Sequence, residues 1–145
     1  MDTQNTSAFK QIGIKKFIPG IAWFLVILVI ICTPGDKLPE VDNWLIQINY
    51  DKLIHLGVFA VLAFLFMRPI AKSSLVKKEK WHYCIKIALT TAIWGITTEL
   101  IQKFFIPSRS FSISDFIADA LGGLAALIFC KRQFFKITTI NKAGL

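Results

Sequence analysis

The sequence predicts an all-α integral membrane protein: a four-helix bundle with both termini in the cytoplasm and a short interfacial amphipathic helix after the first span. Three observations lead there. The 145 residues are 54% hydrophobic with thirteen Phe and a mean hydropathy of +0.58, too apolar for a water-soluble domain of this size. Four apolar runs of about bilayer-spanning length are separated by basic or Pro- and Gly-containing breaks. The charges also alternate along those breaks. The N-terminal segment, the 68–86 region and the C-terminal tail hold most of the 17 Lys and Arg against two acids, Asp2 and Glu79, while the intervening segments hold four bases and seven acids. The positive-inside rule then puts both termini in the cytoplasm. The formal charge of +8 thus belongs to topology; membrane lipids are the expected partners, and no nucleic acid is.

The chain divides into a cytoplasmic N-terminal segment, 1–16, a four-span membrane domain, 17–130, and a basic cytoplasmic tail, 131–145. The first span runs uncharged from Phe17 to Gly35. It exceeds the h-region of a signal peptide and no A-x-A-like site follows, so a retained anchor is expected. Pro19 and Gly20 fall in its first turn, where a missing N–H costs little. After Pro34, Gly35 and Pro39, the residues Val41, Trp44, Leu45 and Ile48 recur at helical spacing. That pattern predicts an amphipathic helix on the outer surface, anchored by Trp44 and Tyr50.

The second span is expected from Asp51 to Met67, short and dependent on flanking charges that reach to the interface. Arg68–Lys80 then reads as a basic loop with little structure. A third span begins near Trp81–Tyr83 and ends in Glu99-Leu-Ile-Gln102, with Pro107 terminating it and Arg109 in a Ser-rich turn. Ser112-Ile-Ser-Asp115 has the form of a capping box opening the fourth span, which continues to Cys130. Ala118, Gly122, Gly123 and Ala125 give that helix a small-residue side for close packing. Cys32, Cys84 and Cys130 lack metal-site spacing and read as apolar fillers.

The functional candidates are seven polar residues at helix ends on the outer side. Asp51 and His55 share one helical face, as do Glu99 and Gln102, and Asp115 and Asp119; Arg109 lies between the last two spans. Taken singly each has a plain role, a cap for Asp115 or a packing contact for His55. Jointly they exceed what cross-linking four short helices requires. An ionisable group at this depth costs roughly 2.5–3.5 kcal/mol on insertion scales, and such groups are functional candidates by default.

The string Asp51-Lys52-x-x-His55, Glu99-x-x-Gln102, Pro107-x-Arg109 and Asp115-x-x-x-Asp119-x-x-Gly122 resembles the VanZ-like membrane proteins, over roughly residues 20–130. The family commonly has Asn where this chain has Asp119. The resemblance implies a bacterial inner-membrane protein acting near the cell envelope, with a possible link to antibiotic resistance. It does not itself specify a reaction.

Two uses stay open at the level of sequence. In the first, an enzyme acts on a lipid-linked or envelope substrate: His55 and Glu99 exchange protons, Asp51 orients His55, and Arg109, Gln102, Asp115 and Asp119 bind substrate. In the second, a non-catalytic protein captures an envelope precursor, a lipid headgroup or a glycopeptide-type drug. No cofactor and no metal ligand is assigned. A divalent ion held by His55 with Glu99, Asp115 or Asp119 is the weaker variant of the first use.

Overall fold

The computed structural model describes residues 12–34, 50–107 and 109–135. Among these the chain is helical with no strand. A 3-10 turn, Ile14–Phe17, leads into α1, Ile18–Ile31, with Pro19 in its first turn. Three longer helices follow: α2, Tyr50–Ala71, α3, Lys77–Phe105, and α4, Ile113–Phe135. The 3-10 turn with α1, and each of α2, α3 and α4, is long and apolar enough to cross a membrane. The expected amphipathic helix with Trp44, the N-terminal segment before residue 12, Ser108 and the tail after residue 135 lie outside the described residues.

Two boundaries differ from the sequence expectation. The second span continues through Arg68 and Pro69 to Ala71. Pro69 has no N–H to donate to the carbonyl of Leu65, so the helix runs on for its last residues with that one backbone bond missing. The third span begins at Lys77, not near Trp81. The basic loop therefore shrinks to a five-residue turn, 72–76, tied by Ser73 Oγ donating to Ile70 O at 2.6 Å and by Lys80 Nζ donating to Ala71 O at 3.2 Å.

α2, α3 and α4 pack against one another as a three-helix core, the α2–α4 contact being the most extensive, and α1 flanks α2 and α3. Glycine sets the α2–α4 approach. A Cβ on Gly122 would run into the backbone carbonyl of Leu56 and lie 2.9 Å from Ala60 N, so the two backbones touch where only glycine fits. The buried small side of α4 is Ala118, Gly122, Gly123 and Ala126. Ala125, expected there, is exposed, because Ala126 and not Ala125 continues the i, i+4 row from Gly122.

At one end of the core Ala63, Met67, Cys84, Ala126 and Cys130 form a buried apolar cluster. α1 packs separately through Ile27 and Ile31 against Leu62, and Trp23 Nε1 donates to Val58 O at 3.0 Å. Cys84 and Cys130 fill the core as expected, whereas Cys32, at the end of α1, is exposed among the described residues. The outer faces carry Leu25, Val29, Leu89, Ile93, Leu121 and Leu124. Apolar side chains on the outside and, as described next, charged ones inside are what a lipid solvent selects.

Candidate functional site

At the end opposite the apolar cluster, the first turns of α2 and α4 meet the last turns of α3. Helical spacing puts Asp51 and His55 on one face of α2, Glu99 and Gln102 on one face of α3, and Asp115 and Asp119 on one face of α4. Glu99 and Asp119 are 1% and 0% exposed and Gln102 is 6% exposed.

His55 and Asp119 are in direct contact: Nδ1 lies 2.9 Å from Oδ1. With an ionised carboxylate as acceptor, Nδ1–H donates and Nε2 is left for other partners. The sequence suggested Asp51 as the residue that orients His55. In the fold that contact belongs to Asp119, and Asp51 Oδ2 instead accepts from Lys52 Nζ at 3.0 Å. The reason is tertiary. Asp51 lies at the half-exposed start of α2, one turn from His55, whereas the close α2–α4 approach at Gly122 carries Asp119 to the buried side of the imidazole.

Lys52 also faces Asp115, with Nζ 3.6 Å from Oδ1. One ammonium thus serves the two outer carboxylates, both partly exposed. Among the described residues the one basic side chain beside the two inner carboxylates is His55. Asp119 Oδ2 and Glu99 Oε1 are buried and have no hydrogen-bond partner among the described residues. Such groups are rare in folded proteins and call for an explanation.

Glu99 also completes the start of α4. Ser112 Oγ accepts from Asp115 N at 3.3 Å, the cap that the sequence predicts. The reciprocal half of the capping box differs, because Ser112 N–H donates to Glu99 Oε2 at 2.8 Å. A residue of α3 thereby does what the Asp115 side chain does in the local motif, and Asp115 is released to face Lys52.

Asp119 fits because of Gly95. A Cβ there would stand 2.8 Å from Asp119 Cβ and 3.0 Å from Oδ2. Gly95 lies one turn before Glu99 on the same face, a spacing that is visible in the sequence. Its purpose becomes visible only once α4 is docked. Lys52 was likewise not singled out as a site residue, although it stands within the motif string.

Arg109 lies in the connection between α3 and α4, where its N–H donates to Ile106 O at 3.4 Å. Its Nε is buried and has no partner among the described residues. The fold therefore brings together His55, Glu99 and Asp119, puts Lys52, Asp51 and Asp115 around them, and leaves Arg109 in the adjoining connection. His55, Glu99 and Asp119 each offer one ligand atom within 4.8 Å of the others, a spacing that suits a metal ion.

An apolar exterior and four helices of bilayer-spanning length are those of a multi-pass helical membrane protein, with ionisable groups clustered inside one end of its core. Residues 5–136 match the family model described as VanZ/LLP1. That match covers most of the chain, and the chain belongs to this family. No curated protein matches the chain, and no solved structure does.

Proposed function

We propose that this VanZ/LLP1-family protein lies in the inner membrane with both termini in the cytoplasm, and that its polar cluster works by acid–base chemistry on a lipid-linked or cell-envelope substrate at the outer face. The observation that carries this reading is the His55–Asp119 pair at 2.9 Å beside the buried Glu99. Asp119 holds the imidazole in one tautomer and orientation, His55 Nε2 takes a proton from the reacting group, and Glu99 returns one. Gln102 and Arg109 bind the substrate, with Arg109 set for an anionic group such as a phosphate. The excess of Lys and Arg in the 68–86 region and the tail supports the orientation.

A second reading, capture of an envelope precursor, lipid headgroup or glycopeptide-type drug without chemistry, is favoured by one observation: the unpartnered Nε of Arg109 anchors an anion with no proton transfer. Substitution separates the two. His55→Gln and Glu99→Gln retain shape and remove proton exchange, whereas Arg109→Ala removes the anchor. In a deletion strain scored by lipid composition and sensitivity to envelope-targeting antibiotics, the acid–base reading expects all three variants to fail to complement. Full complementation by both Gln variants would overturn it in favour of capture.

A further inference from the structure

We propose that His55, Glu99 and Asp119 hold a divalent metal ion, of Zn or Mn type, within the bundle. The donors come from three different helices and each offers a ligand atom within 4.8 Å of the other two. A tetrahedral ion with bonds of roughly 2.1 Å separates its ligands by about 3.4 Å, so small side-chain rotations close the site. One imidazole with two carboxylates is a donor set suited to Zn and Mn.

A second, independent observation points to a ligand. Glu99 Oε1 and Asp119 Oδ2 are buried without a partner among the described residues, on side chains 1% and 0% exposed. Their other oxygens are engaged, by Ser112 N–H and by the imidazole, so each carboxylate is held in place with one oxygen unmatched. The balance of charge agrees. Lys52 attends Asp51 and Asp115, and among the described residues the one basic group beside the two inner carboxylates is the His55 imidazole. A divalent cation cancels both of their charges where hydrocarbon penalises them most.

The ion replaces the Nδ1 proton, and the unmatched Asp119 Oδ2 and Glu99 Oε1 are the oxygens free to bind it. The imidazole keeps its one proton on Nε2, so His55 stays neutral, and the carboxylates remain ionised as ligands must be. Three protein ligands leave at least one position open for water or a substrate oxygen. The proposal rests on the acid–base reading only for where substrate approaches: with the ion bound, His55 and Glu99 are ligands, and proton exchange would pass from them to a water at the open position.

The full chain, purified in detergent micelles without a polyhistidine tag and stripped with chelator, would be titrated with Zn2+ and, in parallel, with Mn2+ by calorimetry. Metal content after desalting gives the stoichiometry. The expected result is one ion per chain, with His55→Gln, Glu99→Gln and Asp119→Asn each weakening binding by roughly 100-fold or more, beyond what outer-shell changes cause. His82→Gln, an exposed histidine at the start of α3, should leave binding unchanged. Absence of binding by the parent chain, or binding that survives all three substitutions, overturns the proposal. Circular dichroism and monodisperse elution check folding; should one variant misfold, the other two decide. An ion-free chain whose His55→Gln variant still fails in cells refutes the ion and leaves the acid–base reading standing. An ion bound by these residues in a chain whose variant functions normally supports the ion and removes that reading.

Discussion

The two ends of the same three helices solve the packing problem in opposite ways. At one end α2, α3 and α4 meet through Ala63, Met67, Cys84, Ala126 and Cys130, all buried and none charged. At the other they meet through His55, Glu99 and Asp119, with two carboxylate oxygens unmatched among the described residues. At the apolar end these helices are joined by small residues and close van der Waals contact alone. The polar end is therefore not needed as glue, and membrane hydrogen bonds, at about 0.6 kcal/mol on average, would be poor glue for the cost of inserting the groups. Ionisable residues kept against that cost are, on the function proposed above, the working end of the molecule.

This contrast can be broken by substitutions of graded effect. The largest is expected at Gly122, which belongs to both ends because it sets the α2–α4 distance. Gly122→Val drives side-chain atoms into the backbone at Leu56 and Ala60 and should cost at least about 3 kcal/mol, the upper end for overpacking. Loss of the folded fraction in a membrane-unfolding assay, together with loss of function, is the expected outcome. Next is Met67→Ala at the apolar end, fully buried. It should cost about 2 kcal/mol, the low end for such truncations, since the separated helix still lies in lipid and only the cavity remains. Its function, measured by complementation at equal protein level, should be retained.

Gly95→Ala should cost about 2 kcal/mol, mid-range for overpacking, because its Cβ meets Asp119 Cβ at 2.8 Å, an atom that side-chain rotation does not move, so α3 and α4 must part slightly. The residue displaced is Asp119, so complementation should fail although the protein accumulates normally. A Gly95→Ala chain that works as well as the parent would mean that the position of the Asp119 carboxylate is immaterial. Met67→Ala and Gly95→Ala thus form a matched pair: at comparable cost in stability, the first should preserve function and the second abolish it.

Much of this arrangement was legible in the sequence. Hydropathy marked four spans, and i, i+3 and i, i+4 spacing grouped Asp51 with His55, Glu99 with Gln102, and Asp115 with Asp119. Spacing reports which residues share a face, and it is silent on what stands opposite. That is why the orienting partner of His55 was expected one turn away, at Asp51, when the fold supplies Asp119 from 64 residues further on. The same gap hid the transfer of the capping contact to Glu99. Helix ends were misjudged for a related reason, since Arg68 and Pro69 look like a terminus, yet α2 runs on to Ala71.

The central claim is that the inner charges are retained for function against stability. It is tested most directly by the unfolding free energy, in lipid and in the presence of chelator, of a chain carrying His55→Gln, Glu99→Gln and Asp119→Asn together. These neutral side chains are of similar shape and remove the two carboxylate charges, each costing up to roughly 2.5–3.5 kcal/mol on insertion scales at a helix centre. The variant should match or exceed the parent in stability while failing to complement. A loss of more than about 2 kcal/mol, several times the average membrane hydrogen bond, would mean that the cluster holds the bundle together and would contradict the account.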